Sequence, residues 1–334
     1  MNRALITGAT GLVGSHIVER LSRDGWQLRA LVREPSKASW LTSHGVELVA
    51  GDTLDAPAFA RAADGVQWVF HCAAAITPRG GWEAFRLPNI EGTRHAIAAA
   101  AAAGARLLHL SSVAVYGPDG RYALSQGDGL QELQPLLPLP DDAWYARSKR
   151  ESEALVMDAH RAGRVWATAV RPCVIYGPRD RQFIPRVAAM LRAPLTPRIG
   201  DGRAVLAIVH ARSVAEVAVR AATSDVGGGR AFNVTNDAPL TVQQFYDAAQ
   251  KGLGHRARWL PVPGRIAQAA VTAAGSVMRV MGVPGASMLN ASALDFLLAD
   301  NPFSSERARR ELGWTSSVDP CAAVVEAFAG LARS

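Results

Sequence analysis

A glycine-rich turn near the first residue constrains the fold of this 334-residue chain more than any other feature. The segment Thr7–Gly14 (TGATGLVG) follows a short apolar run and precedes a helical pattern. Its first glycine permits a tight turn, its second lets the backbone approach a phosphate, and its third lets the helix pack closely on the strand. The start of such a helix offers free N–H groups and a partial positive charge to a pyrophosphate. The turn predicts a dinucleotide site formed by Gly8, Thr10, Gly11, Leu12, Val13 and Gly14.

Short apolar runs alternate with alanine-rich helical patterns through the first two thirds of the chain. The predicted strands are Ala4–Thr7, Gln27–Val32, Glu47–Val49, Trp68–His71, Arg106–Ser111 and Val165–Arg171. The predicted helices are Val13–Arg23, Ala56–Ala63, Asn89–Ala103 and Trp144–Ala162. This βαβ alternation predicts an α/β fold of the Rossmann type, with a doubly wound, mainly parallel sheet covered by helices on both faces. Ligands of such sheets bind at the C-terminal ends of the strands.

The pattern becomes less regular after residue 178. We expect residues 1–178 to form an NAD(P)-binding domain and residues 179–334 mostly a smaller substrate-binding lobe, with a strand near 230–235 returning to the main sheet. Further strands are predicted at Leu206–Val209, Arg230–Val234 and Arg258–Pro261, and helices at Ser213–Ala222, Thr241–Lys251, Ile266–Val280 and Ser305–Leu312. The segment Asp119–Asp142, which is rich in Gly, Pro, Gln and Leu, is predicted to be a loop over the active site.

Composition and charge narrow the classes of function. The net charge of +7 comes almost entirely from scattered arginines, so we expect no nucleic-acid partner. The three cysteines are far apart, which predicts reduced thiols in a cytoplasmic protein and no metal site. No signal peptide is recognisable, and the apolar stretch Ile266–Val283 is too short and interrupted for a membrane span. A place at the membrane surface for this stretch is a minor alternative.

The end of the second predicted strand bears on the choice of cofactor. Arg33 and Lys37 stand where a cation would bind a ribose 2′-phosphate, which favours NADP(H). The alternative is NAD(H), with Arg33 in solvent and Glu34 on the ribose hydroxyl. Further cofactor contacts are expected from the ends of the third and fourth strands, at Asp52, Thr53, Ala73, Ala74 and Ala75.

Tyr145 and Lys149 are spaced to lie on one face of a helix, one turn apart. A nearby ammonium lowers the pKa of a phenol by roughly 1–3 units, so we expect Tyr145 to exchange a proton near neutral pH. Ser112, at the end of the fifth predicted strand, is expected to bind the same substrate oxygen. Its neighbour Ser111 is expected to serve the structure or the cofactor.

These motifs together resemble the extended short-chain dehydrogenase/reductase family. The resembling segments are TGATGLVG, GDTLD at Gly51–Asp55, HCAA at His71–Ala74, NIEGT at Asn89–Thr93, SSVAVYG at Ser111–Gly117, YARSK at Tyr145–Lys149, RPCVIYGP at Arg171–Pro178 and RRELGW at Arg309–Trp314. They span nearly the whole chain.

The resemblance implies hydride exchange between C4 of the nicotinamide and a substrate carbon. Tyr145 would be the general acid/base, Lys149 would hold the nicotinamide ribose, and Ser112 would orient the substrate oxygen. Pro172 and Val174 would lie beside the nicotinamide. Asn89 would support the geometry of the catalytic helix, and two helices, near Asn89–Ala103 and Trp144–Ala162, would form a homodimer.

Two positions bear on the substrate. Leu206 and Ser213 stand where the family's nucleotide-sugar enzymes carry the arginine and aspartate around their diphosphate site. Arg203 and Arg212 are the alternative cations for such a site. The segment Tyr176–Pro185 resembles bacterial 3β-hydroxysteroid dehydrogenase-like reductases. We therefore expect an apolar ketone, aldehyde or secondary alcohol as substrate. A nucleotide-sugar epimerase or dehydratase and a non-catalytic NADP(H) sensor are the alternatives.

Overall fold

The computed structural model describes residues 1–76, 80–117, 131–134, 136–236, 238–270 and 291–331. The strands are β1 (Arg3–Thr7), β2 (Gln27–Val32), β3 (Glu47–Ala50), β4 (Trp68–His71), β5 (Arg106–Leu110), β6 (Ala167–Pro172), β7 (Val174–Tyr176), β8 (Thr196–Ile199), β9 (Ile208–His210), β10 (Ala231–Val234) and β11 (Trp259–Val262). The helices are α1 (Leu12–Arg23), α2 (Ser39–Ser43), α3 (Ala56–Ala63), α4 (Gly81–Arg86), α5 (Gly92–Ala102), α6 (Trp144–Arg161), α7 (Phe183–Leu191), α8 (Ala211–Thr223), α9 (Val242–Leu253), α10 (residues 264–270), α11 (Ala291–Leu298), α12 (Glu306–Leu312) and α13 (Pro320–Leu331).

Seven parallel strands form the central sheet, in the order β10–β6–β5–β4–β1–β2–β3. Its central strands are nearly continuous apolar runs, as expected for a parallel sheet that is buried on both faces. Helices α1 and α8 contribute to the apolar cluster on one face, and α3, α5 and α6 contribute to the cluster on the other. The chain order reverses beside β1, so β1 and β4 form the switch point at which such sheets bind ligands.

A third apolar cluster lies in the C-terminal half of the chain. Helices α7, α9 and α13 pack around it. Two small parallel sheets, β7–β9 and β8–β11, accompany these helices. Within the described ranges, no helix has both the length and the apolar character needed to cross a bilayer.

The predicted Rossmann-type fold is confirmed, and the predicted returning strand pairs with β6 as β10. Most predicted boundaries are shifted by one or two residues. The sequence patterns did not indicate α2, α4, α7, α11, α13, β7 or β8. Of the predicted helix Ile266–Val280, residues 271–280 lie outside the described part of the chain. So do residues 119–130 and 135 of the predicted loop Asp119–Asp142.

Candidate active site

The glycine-rich turn has the shape that a pyrophosphate requires. Gly8 has φ +68°, and a Cβ atom there would lie 2.8 Å from the Ala73 nitrogen. A Cβ atom on Gly14 would lie 2.2 Å from the Gly8 oxygen, so only glycine allows this approach of helix to strand. Helix α1 begins at Leu12 after Gly11, and no side chain caps it. Its first amides therefore point toward the site without a side-chain acceptor, which fits a bound phosphate.

Buried polar contacts fix the neighbouring end of β4. The Thr7 hydroxyl lies 2.9 Å from His71 Nδ1 and accepts a hydrogen bond from the Ala73 amide at 3.3 Å. The other ring nitrogen of His71 lies 3.2 Å from the Thr93 hydroxyl. Burial, and the nearby Lys149 ammonium, lower the pKa of His71 to about 3, so the ring is neutral at pH 7. These contacts anchor the start of the half-buried segment 73–75, which the sequence predicts beside the cofactor.

The structure brings Ser112, Tyr145 and Lys149 together at the C-terminal end of β5. The Ser112 hydroxyl is near enough to the phenol of Tyr145 to act on its pKa. Lys149, which is 3% exposed, donates from Nζ to the Leu110 carbonyl oxygen at 2.7 Å. Ser112 is held in turn because its Oγ accepts a hydrogen bond from the Ala114 amide at 3.2 Å.

The expected effect of Lys149 on the phenol of Tyr145 is not found in the protein alone. Burial raises the pKa of Tyr145 above its ordinary value, and the hydrogen bond from Ser112 opposes this rise. Lys149 is not among the groups that shift the pKa of Tyr145, and its ammonium donates instead to the Leu110 carbonyl oxygen. Tyr145 is consequently protonated at neutral pH, which suits a proton donor.

Burial also lowers the pKa of Lys149, to about 8, while Cys72 and the Glu153 carboxylate act in the opposite direction. The Cys72 thiol is no nucleophile here, because burial raises its pKa to about 12.

Asn89 connects the catalytic helix to the end of β4. Its Nδ2 donates to the Ala75 carbonyl oxygen and to Ser148 Oγ, both at 2.9 Å, and its Oδ1 accepts from the Ala75 amide at 2.7 Å. Ser148 in turn donates to the Tyr145 carbonyl oxygen at 2.8 Å. Asn89 lies in a π-helical turn, Leu87–Glu91, between α4 and α5. This arrangement is the one that the family resemblance implies for Asn89.

A buried ion pair, which the sequence analysis did not predict, fixes α6 against β6. Arg171 Nε donates to the two carboxylate oxygens of Glu153 at 3.0 and 3.1 Å, and the two side chains are 8% and 7% exposed. Arg171 also donates to the Tyr116 hydroxyl at 2.8 Å. Glu153 lies one helical turn beyond Lys149. The two partners belong to different elements, so no local spacing in the sequence indicates their contact.

The remaining predicted cofactor residues surround the same edge of the sheet. Arg33 is 81% exposed, with Nε 3.9 Å from Asp52 Oδ2, and Lys37 is 75% exposed and paired with Glu34 at 2.6 Å. The Thr53 carbonyl oxygen lies 2.9 Å from the Nδ1 atom of His95. Of three further predicted cofactor residues, Ser111 directly follows β5, Pro172 is the last residue of β6 and Val174 is the first residue of β7. Ser111 is 3% exposed, and its hydroxyl has no hydrogen-bond partner within the described residues.

The loop between β7 and α7 is fastened to the dinucleotide-binding helix by Arg179. Among the described residues, Arg179 is the only non-glycine residue with positive φ, at 71°. Its Nε donates to Ser15 Oγ at 2.9 Å, its Nη1 pairs with Glu19 at 2.9 Å, and its guanidinium carbon lies 4.8 Å from the ring centre of Trp40. No sequence pattern signals this conformation, so the sequence analysis missed this contact.

Comparison with known proteins agrees with this geometry. Residues 4–235 match the model of the NAD dependent epimerase/dehydratase family. The chain belongs to this family. It is 33% identical over 273 residues to a ceramide reductase of Caulobacter vibrioides, covering 81% of this chain and 77% of that protein. It is 29% identical over 318 residues to a farnesyl-dihydroquinoline-oxide ketoreductase of Stigmatella aurantiaca, covering 95% and 92% of the two chains.

A sterol-4-alpha-carboxylate 3-dehydrogenase of Bos taurus is also similar, at 29% identity over 78% of this chain and 72% of that one. Among solved structures, gox2253 superimposes with a TM-score of 0.79 at 26% identity, covering 100% of this chain and 98% of that one. This family member is thus an NAD(P)-dependent enzyme of the extended short-chain dehydrogenase/reductase kind, as the resemblance indicated.

Proposed function

We propose that this family member transfers a hydride between a nicotinamide and an apolar ketone, aldehyde or secondary alcohol, with Tyr145 as the general acid/base. The grouping of Ser112, Tyr145 and the buried Lys149 at the C-terminal end of β5 carries the proposal. The ceramide reductase, the ketoreductase and the sterol dehydrogenase are named for such chemistry on apolar molecules, which supports this substrate class.

In the direction of reduction, Ser112, Tyr145 and Lys149 each have a separate role. A bound, reduced nicotinamide supplies the hydride to the carbonyl carbon. Ser112 donates a hydrogen bond to the carbonyl oxygen, and Tyr145, protonated because burial raises its pKa, donates its proton to that oxygen as negative charge develops. Lys149 would hold the nicotinamide ribose, and the Ser112 hydroxyl, which lowers the pKa of Tyr145, stabilises the phenolate that remains. In the direction of oxidation, the same phenolate accepts the proton of the alcohol.

The environment of Leu206 favours an apolar substrate over a nucleotide sugar. Leu206 is 1% exposed and belongs to the apolar cluster of the C-terminal half. Ser213 Oγ lies 3.2 Å from Ser316 Oγ. The Arg203 side chain is 90% exposed and lies 3.8 Å from Asp201, and Arg212 is also exposed. A buried leucine offers a diphosphate no charge, and the site gains no compensating buried cation from these arginines.

The test follows absorbance of the reduced nicotinamide with a panel of apolar ketones, aldehydes and steroids. Tyr145→Phe should lower kcat by about 10²–10⁴-fold while cofactor binding persists, because only the proton donor is lost. The control is Tyr246→Phe in the C-terminal apolar cluster, which should keep its kcat. Turnover that is indifferent to Tyr145, or saturable thermal stabilisation by UDP without any carbonyl reduction, would contradict the proposal.

We propose further that NADP(H) is preferred. Arg33 is highly exposed, and its Nε lies 3.9 Å from Asp52 Oδ2. This ion pair is weak, so the guanidinium is able to bind a 2′-phosphate at the end of β2. Glu34 is engaged by Lys37, so its carboxylate is not free for a ribose hydroxyl. NAD(H) is the alternative, because Lys37 is largely exposed and the pair can separate.

Arg33→Gln tests this preference by direct binding. Loss of a charge-assisted contact to the 2′-phosphate should weaken NADPH binding by about 10–100-fold and leave NADH binding within about threefold. Arg61→Gln, on α3, is the control for loss of one positive charge. An equal loss of affinity for both cofactors would overturn the role of Arg33.

A further inference from the structure

Two segments of the C-terminal half combine positive charge with a complete lack of acidic residues. Residues 186–200 and 249–270 contain seven lysines or arginines and no aspartate or glutamate. Within the described part of the chain, none of the seven forms an ion pair. The two segments meet in space, because the Thr196 amide donates to the Arg258 carbonyl oxygen at 2.8 Å where β8 and β11 begin to pair.

The register of this small sheet determines which side chains face outward. Thr196 pairs with Trp259, and their side of the sheet faces inward. Thr196 is fully buried, and the Trp259 ring lies 5.1 Å from the ring of Tyr246. Successive side chains of a strand point to opposite faces, so the next pair, Pro197 and Leu260, lies on the outward side. Both residues of this pair are exposed.

Exposed large aliphatic side chains lie on this outward side and in the chain that continues from it. Leu195, two residues before Pro197, is 52% exposed, and Leu260 is 47% exposed. The chain then enters α10, where Ile266 is 60% exposed beside the exposed Arg265. We call these residues, with Pro197 and the exposed cations next to them in sequence, the β8–β11 face: Arg192, Leu195, Pro197, Arg256, Arg258, Leu260, Arg265 and Ile266.

We propose that the β8–β11 face docks on a membrane surface that contains anionic lipid. Arginines with no acidic partner bind lipid phosphates, and leucine and isoleucine between them enter the boundary between head groups and acyl chains. Charge argues against a second copy of this chain, because a symmetric contact would place arginine against arginine with no carboxylate between them. Aliphatic rather than aromatic side chains argue against single-stranded nucleic acid, whose bases stack on aromatic rings.

The test measures co-sedimentation of the full chain with phosphatidylcholine vesicles, with and without phosphatidylglycerol. Binding should require the anionic lipid and weaken as salt rises. Arg256→Gln combined with Arg258→Gln should weaken binding roughly 30-fold, and Leu260→Ser combined with Ile266→Ser about tenfold. The control combines Arg164→Gln and Val226→Ser, an exposed cation and an exposed apolar residue outside this face, and should bind like the unaltered protein.

Three results would overturn the proposal. They are equal binding to both kinds of vesicle, or no binding; an equal loss in the control variant; and a dimer in light scattering that Leu260→Ser disperses, which would assign the face to a second copy. Vesicle binding needs no substrate or cofactor, so the outcome is independent of the proposed reaction.

Discussion

At the scale of single residues, the buried ammonium of Lys149 is a cost to folding that the proposed chemistry requires. The side chain is 3% exposed and, within the described residues, has one hydrogen bond, to the Leu110 carbonyl. Removing a cation from water destabilises its charged form, which is why the pKa falls to about 8. A site in which a buried cation is proposed to hold the nicotinamide ribose must accept this penalty.

The low pKa of Lys149 predicts how stability changes with pH. An unfolded lysine titrates near pH 10.4, so between about pH 8 and 10.4 the unfolded chain holds a proton that the folded chain has lost. The contribution of Lys149 to the free energy of unfolding should therefore rise across this window and be constant below it. Lys149→Met should lose this rise and gain about 1–3 kcal/mol at pH 7, because the buried charge is removed.

Chemical denaturation at pH 7 and pH 9.5 measures both effects. Lys251→Met, which changes an exposed lysine on α9, is the control and should follow the unaltered protein. Identical pH dependence in the unaltered protein and Lys149→Met would refute the assignment of this titration.

Spacing along the chain is enough to predict some residues of the site but not others. Tyr145 and Lys149 share a helix, so their neighbourhood follows from the helical period. The role of Ser112 follows from its place at the end of β5. The carbonyl of Leu110 as the partner of Lys149 does not follow, because it depends on how α6 packs on the sheet. The prediction that Lys149 lowers the pKa of Tyr145 was wrong because this effect also depends on how α6 packs on the sheet.

At the scale of elements, the catalytic helix α6 is held from two sides. Asn89 ties its first turns to the loop after β4, and the pair of Arg171 and Glu153 ties its middle to β6. Both contacts are buried, so breaking either one leaves polar groups without partners. The proposed proton donor therefore has a fixed position relative to the ends of β4, β5 and β6.

Asn89→Ala tests the first of these ties. The change leaves the Ala75 amide and carbonyl unpaired, so the free energy of unfolding should fall by about 2–4 kcal/mol. Because Tyr145 would no longer be fixed, kcat should fall at least tenfold well below the melting temperature. Denaturation and steady-state kinetics measure the two quantities.

Asn301→Ala is the matched control. Asn301 is part-buried and donates to Thr235 Oγ1 at 2.7 Å, in the segment before α12 and outside the contacts of α6. It should lose stability and keep its kcat. A parallel loss of kcat in both variants would show that Asn89 acts through stability alone.

The strands of the main sheet were predictable because each is a short apolar run bounded by glycine or polar residues. The missed elements lack such signals. Helices α2 and α4 have only five and six residues, too few for a helical period to appear. The predicted start of α5 at Asn89 instead falls in the π-helical turn, whose irregular hydrogen bonding depends on the contacts of Asn89. Strands β7 and β8 are three and four residues long and gain their pairing only from distant partners.

At the scale of the whole molecule, the main sheet is completed by parts of the chain far beyond residue 178. Helix α8 covers one face, β10 forms an edge, and Trp314 packs into the same cluster as α1. Helix α13 then packs against α9 in the other half. The division into residues 1–178 and 179–334 stays a prediction about function, as do cytoplasmic location and a homodimer through α5 and α6.

Trp314→Ala tests how far the C-terminal segment stabilises the molecule. Trp314 is 1% exposed, so its loss should leave a cavity and lower the free energy of unfolding by about 3–5 kcal/mol. Trp82→Ala is the control, because Trp82 is half-buried and its ring stacks with Arg147 at 4.2 Å; its loss should cost about 1 kcal/mol. Equal costs would mean that the segment after α12 is dispensable to the sheet.

Helix α8, strand β10 and Trp314 are synthesised after the other strands of the main sheet. At 5–20 residues per second, roughly 7–27 s separate the emergence of residue 178 from that of Trp314. During this interval the face of the sheet that α8 and then Trp314 come to cover is apolar, and part of it stays open until Trp314 emerges. Until synthesis provides that cover, the exposed apolar surface makes the nascent chain prone to aggregation.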